Sequence, residues 1–167
     1  MIRLVASFAM VCACHAAFAG GQPAAARETV PLTRFTSHPH AFAEYSGLND
    51  SVRTVVRDSA AWQQLWDRVN APYVPKPPRP DVDFHREMIV VAAIGREPSG
   101  GYDVVIDSAA EDTSSIEVVV RRTIPGERCL TTAAVTQPVD LAKIPASDKP
   151  VRFREREQRV ACGGRAP

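Results

Sequence analysis

The sequence predicts a mainly β fold, an antiparallel β-sandwich or partly open barrel with one packed α-helix. Three observations carry that prediction. Short segments of alternating apolar and polar residues recur through the second half, divided by turn residues, which is the spacing of antiparallel β domains. Residues 88–94 form one continuous apolar run, as expected of a strand buried on both faces. Finally, Trp62, Leu65, Trp66 and Val69 fall at i, i+3, i+4 and i+7, a single helical stripe.

The elements follow in order. Residues 42–46 and 51–57 read as two strands around Gly47-Leu48-Asn49-Asp50, a tetrad with turn chemistry. Asp58 or Ser59 caps the helix, whose polar side carries Gln63, Gln64, Asp67 and Arg68. The tryptophans are expected to pack that helix on a sheet. Residues 72–80 hold five prolines, which forbid regular helix and predict a stiff, extended connector. After the buried run, Tyr102, Val104 and Ile106 alternate with Asp103 and Asp107, and Ile116, Val118 and Val120 alternate with Glu117 and Arg121. Residues 130–136 read as a further strand ended by Pro138, residues 139–144 as a short one, and Val151 and Phe153 open a last one. Arg152, Arg154 and Arg156 would share one face of that last strand, as a solvated or edge-protecting row.

Ahead of these elements stands a targeting segment. Arg3 supplies a positive start, residues 4–14 are apolar, and Ala17-Phe18-Ala19 has the small residues a signal peptidase reads. Residues 1–19 are therefore expected to be a signal peptide cleaved before Gly20, with acylation at Cys12 or Cys14 as the minor alternative. Residues 20–39 read as a flexible lead-in, and residues 40–167 as a single β-rich domain. The 167 residues are 45% apolar and 23% charged, which favours a globular chain over a disordered one. Without Arg3 the basic and acidic residues balance, so no general attraction to nucleic acid is expected. The expected location is periplasmic or secreted, with no stable membrane insertion of the mature chain. In such an oxidising compartment the two cysteines left, Cys129 and Cys162, are expected to form a disulfide.

Candidate chemistry is sparse. His38, His40 and His85 would have to converge to bind a metal, and no acidic ligand is spaced to help them, so no metal and no cofactor is expected. Ser99 lies outside any Gly-x-Ser-x-Gly elbow and has no base placed beside it by sequence. Asp103 and Asp107 sit at alternating strand positions, where carboxylates usually form a solvated face. No catalytic residue is assigned. A small hydrolase or metal-binding enzyme is the rival class, and a deep pocket with converging polar groups would favour it.

The most distinctive segment is residues 95–102, which carries Pro98, Ser99, Gly100, Gly101 and Tyr102 between the buried strand and the next. A hairpin tip is expected there, with glycines that let another backbone come close. These five residues are the candidate partner-binding loop, although the glycines could equally serve the turn alone. The apolar strand, the Pro98–Tyr102 loop and the alternating strand that follows resemble the C-terminal domain of the protease-complex subunit PrcB family. Further matching features are Pro125-Gly126 with Cys129 downstream, the Thr136-Gln137-Pro138 strand end, and Ile144-Pro145; the resemblance covers roughly residues 50–160. It implies an exported, non-enzymatic accessory domain that binds a protein partner, such as an exported protease, and supports the stability or maturation of a protease complex. The loop is also similar to a loop of chagasin-like cysteine protease inhibitors, with Ser99-Gly100 where that loop has a threonine pair. An inhibitor-like binding module is thus the alternative.

Overall fold

The computed structural model describes residues 26–35 and 44–161. The expected signal peptide, parts of the lead-in, His38, His40 and Cys162 lie outside them. Strand β1 spans Glu28–Val30, β2 Thr33–Arg34 and β3 Ser51–Val56; helix α1 spans Ser59–Val69. Then come β4 (Glu87–Ile94), β5 (Asp103–Glu111), β6 (Ile116–Pro125), β7 (Val139–Pro145) and β8 (Val151–Val160). The strands form two four-stranded sheets, β1-β5-β6-β8 and β2-β7-β4-β3. The molecule is a sandwich-like, mainly β structure and not a closed barrel.

Strand β4 explains why the fold has three layers. Met88, Val90 and Ala92 point into the space between the sheets, where they meet Val104, Ile106, Val118 and Val120. Ile89, Val91 and Ala93 point to the other face and pack against Trp62, Leu65, Trp66 and Val69 of α1. The continuous apolar run is the direct consequence of this double burial, because alternate side chains leave a strand on opposite faces. Asp58 caps α1 as expected, its Oδ1 accepting from the Ala61 amide at 2.7 Å.

The proline-rich connector straps the helix down. Trp62 Nε1 donates to the Pro80 carbonyl at 2.9 Å, and Trp66 Nε1 to that of Pro77 at 3.1 Å. Both indole N–H groups are thereby satisfied although their rings are buried.

Four expectations are corrected. Residues 28–30 and 33–34, placed in a flexible lead-in, form edge strands β1 and β2. Apolar contact holds them: Val30 is buried in the inter-sheet core, and Phe35 stacks on Trp62 with ring centroids 5.5 Å apart. Of residues 42–46, only Tyr45 makes a bridge, to Gln137, so no strand forms over the described part. Residues 130–136 are an irregular loop rather than a strand. Leu130 is fully exposed there, and the apolar spacing has no sheet face to bury. Lastly, β8 pairs with β6 in parallel, where antiparallel pairing was expected throughout. The chain crosses from β6 to β7 in the other sheet and back again, and two crossings restore the original direction.

Candidate functional site

The ends of β4, β6 and β8 and the starts of β5 and β7 all lie at one end of the sandwich, as their registers require. The segments joining them, residues 95–102 and 126–138, therefore meet there. Because β4 and β5 belong to different sheets, residues 95–102 form a crossover, not the expected hairpin.

The two loops are bonded along their length. Glu97 and Thr136 exchange backbone hydrogen bonds of 2.9 and 3.1 Å. The Glu97 side chain, in a residue only 8% exposed, accepts from Arg122 Nη2 at 2.8 Å, which ties the crossover to β6. Thr136 Oγ1 donates to the Ser99 carbonyl at 3.0 Å, and the Gly100 amide donates to the Thr132 carbonyl at 3.0 Å. These bonds fix the loop pair as a rigid unit.

The glycines do permit a close approach, but the neighbour is the chain's own second loop. A Cβ at Gly100 would stand 2.4 Å from Thr132 Oγ1. Gly101 has φ +85°, where L side chains are strained, and a Cβ there would come within 3.0 Å of Thr131 Cγ2. The Gly100 amide is thus already used inside the chain. Among the candidate residues, Pro98 and Gly101 are exposed, Ser99 and Tyr102 are half-buried and Gly100 is buried. They line the rim of this end, to which the second loop adds Leu130 and Val135 as exposed apolar side chains.

Leu130 and Val135 were missed because Leu-Thr-Thr-Ala-Ala-Val has strand composition. Pro125-Gly126 before it and Gln137-Pro138 after it were the available signals of a loop. Cys129 lies at this same end, with Sγ 3.4 Å from the Val160 carbonyl at the close of β8.

Electrostatics beside the loops is local. Burial pushes the Asp103 carboxyl above its ordinary value, opposed by a hydrogen bond from the Val104 amide and reinforced by Asp140. Asp140 Oδ2 in turn is bonded to Arg34 and accepts from the Ile106 amide at 2.7 Å. The Asp140 carboxylate thereby ties β7 to β5 and β2. At the opposite end, Asp83, Arg86, Glu87 and Lys143 line a cavity of about 420 Å³, where Lys143 Nζ donates to both Glu87 oxygens at 2.9 and 2.8 Å. Among the described residues no group of three His, Cys, Asp or Glu side chains is placed to hold a metal ion. None of the described helices is long and apolar enough to cross a membrane.

The family model described as PrcB C-terminal matches residues 88–145. That stretch runs from β4 through β7 and contains both loops of the rim, so the resemblance read in the sequence is supported over a shorter span than residues 50–160. Helix α1 and strand β8 lie outside the match. No curated protein and no solved structure matches the chain.

Proposed function

We propose that this chain is an exported accessory domain that binds a protein partner through the rim formed by residues 98–102 and 130–135, and that the partner belongs to a protease complex. The observation that carries the reading is the rigid loop pair inside the stretch matched by the PrcB C-terminal family. A surface already ordered by its own hydrogen bonds loses little conformational entropy when it binds. Leu130 offers an aliphatic side chain with no packing role in the free domain, and a partner pocket could bury it for roughly 1.5–3 kcal/mol. A non-enzymatic role fits the rim, whose residues are apolar, hydroxyl-bearing or glycine, and the adjacent carboxylate of Glu97 is held by Arg122.

The test is recovery of partners from the native host with a tagged chain, read by mass spectrometry. The tagged protein is expected in the exported fraction, beginning at Gly20. It should bring down a protease or a protease-bound protein. Ser99→Arg and Leu130→Asp should each lose that partner while melting at the wild-type temperature. Full recovery with both variants would remove the rim from the interface. Direct, saturable inhibition of a cysteine protease by the purified domain would instead favour the inhibitor-like reading.

A further inference from the structure

We propose that the free edge of β8 receives an extended acidic segment of another protein, which adds to the sheet as a further strand. This stands independently of the rim and of any protease complex. In the order β1-β5-β6-β8, strand β8 has β6 on one side and no strand on the other among the described residues. The pairing runs from Ile116 opposite Val151 to Pro125 opposite Val160 without a register shift. Backbone groups that point away from β6 therefore form a regular row along ten residues. Free edges are usually blunted by shortness, proline, a bulge or charged side chains, and charge is the one of these that β8 uses. The other outer strands follow that rule in part, at three residues for β1, two for β2 and six for β3. Strand β8 is ten residues long and contains neither proline nor bulge.

Charge selects the occupant. Arg152, Arg154 and Arg156 are exposed at alternate positions and so lie on one face of β8. Arg154 makes a 3.4 Å contact with Glu117, whose carboxylate is closer to Arg27 at 2.8 Å. Arg152 and Arg156 make no ion pair with a described residue. The acidic residues of the strand are already used: Glu155 accepts from Arg53 at 2.6 and 3.0 Å, and Glu157 contacts Arg159. Glu117, opposite Arg152 in the register, also attracts Arg154 and Arg156, but one carboxylate held closest by Arg27 cannot balance three arginines, so the row stays net positive beside an open backbone edge.

A second copy is the wrong occupant. Antiparallel pairing of β8 with itself must keep matching faces together, so registers with long overlap set arginine against arginine and glutamate against glutamate. Like charges directly opposite destabilise a strand pair. A strand with carboxylates on one face would instead place each within cross-strand reach of an arginine, while its backbone satisfies the open edge.

The probe is a synthetic peptide of alternating glutamate and valine, offered to the purified protein, with its lysine–valine counterpart as control. Saturable binding of the acidic peptide is expected, together with slowed amide hydrogen exchange in β8. The double variant Arg152→Glu/Arg156→Glu should bind it about tenfold more weakly and gain affinity for the lysine peptide. A glutamate peptide interrupted by proline carries the same charge but cannot form a strand, and should not slow exchange in β8. The proposal is overturned if the acidic peptide does not bind. Equal binding of the proline-interrupted or lysine peptide, or protection that appears elsewhere than β8, would overturn it too.

Discussion

Asp112 fixes the turn between β5 and β6. Its Oδ1 accepts from the Ser114 amide and hydroxyl, both at 2.8 Å, and from the Ser115 amide at 2.9 Å. Hydrogen bonds to the ionised form, chiefly those from Ser114, lower its pKa from 3.8 to about 2, with a smaller contribution from Arg27. Because the folded value lies below the unfolded one, the carboxylate's stabilisation is complete above about pH 4 and is lost as pH falls toward about 2. Asp112→Ala is therefore expected to melt below wild type at neutral pH, with the difference closing across that acidic window. Thermal melts of both proteins over the range check it, and a difference that does not change with pH would refute the assignment. The rim depends on side chains of the same kind. Glu97 and Thr136, through their bonds to each other, to Arg122 and to the Ser99 carbonyl, set where Ser99 and Gly100 sit.

At the scale of elements, α1 is the part whose sequence and structure agree most closely. Its stripe is buried as the spacing implies, and the cap is Asp58. Trp66 is 4% exposed, meets the Trp62 ring at 5.1 Å between centroids and donates to the Pro77 carbonyl. Trp66→Ala is expected to lower the free energy of unfolding by roughly 3–5 kcal/mol, since it opens a large cavity and removes one of the two indole donors that hold the strap. Urea denaturation measures this. A loss below about 1 kcal/mol would mean that the ring does not carry core packing. Periodicity made α1, β3, β4, β5, β6, β7 and the start of β8 legible, because each has a face that must be buried. It could not reveal β1 and β2, too short to show any period, whose anchors Val30 and Phe35 are single residues. Nor could it reject a strand at residues 130–136, since strand composition says nothing about whether a sheet edge is available. The five candidate loop residues were identified in sequence, but their neighbour was not. That neighbour lies about thirty positions further on and meets them only because β4 and β6 end on the same side of the sandwich.

For the whole molecule, the weak point is the union of β8 with the rest. Strand β8 has one neighbour, and beyond Phe153 its residues are exposed. Only Val151 and Phe153 pack against the inter-sheet core, so the last seven residues hold their place through backbone pairing with β6 and scattered ion pairs. Exposed ion pairs contribute little each, typically under about 1 kcal/mol. A further tie at the end of the strand would matter there, and the chain supplies the means. The Gly126 amide donates to the Val160 carbonyl at 2.9 Å, and Cys129 Sγ lies 3.4 Å from that same oxygen. Cys162 follows two residues later in the sequence. We expect Cys129 and Cys162 to be joined in the mature protein, clamping the end of β8 to the loop that carries Leu130. Closing a loop of this length stabilises by roughly 3–4 kcal/mol in the chain-entropy account. Thiol labelling of the unfolded, unreduced protein should then find no reactive cysteine between residues 20 and 167. The Cys162→Ser variant should melt lower than wild type and show faster amide exchange in residues 155–160, with α1 unaffected. Two labelled thiols in wild type, or a variant identical to it in both measurements, would mean that no disulfide adds to the pairing and ion pairs that hold the end of β8.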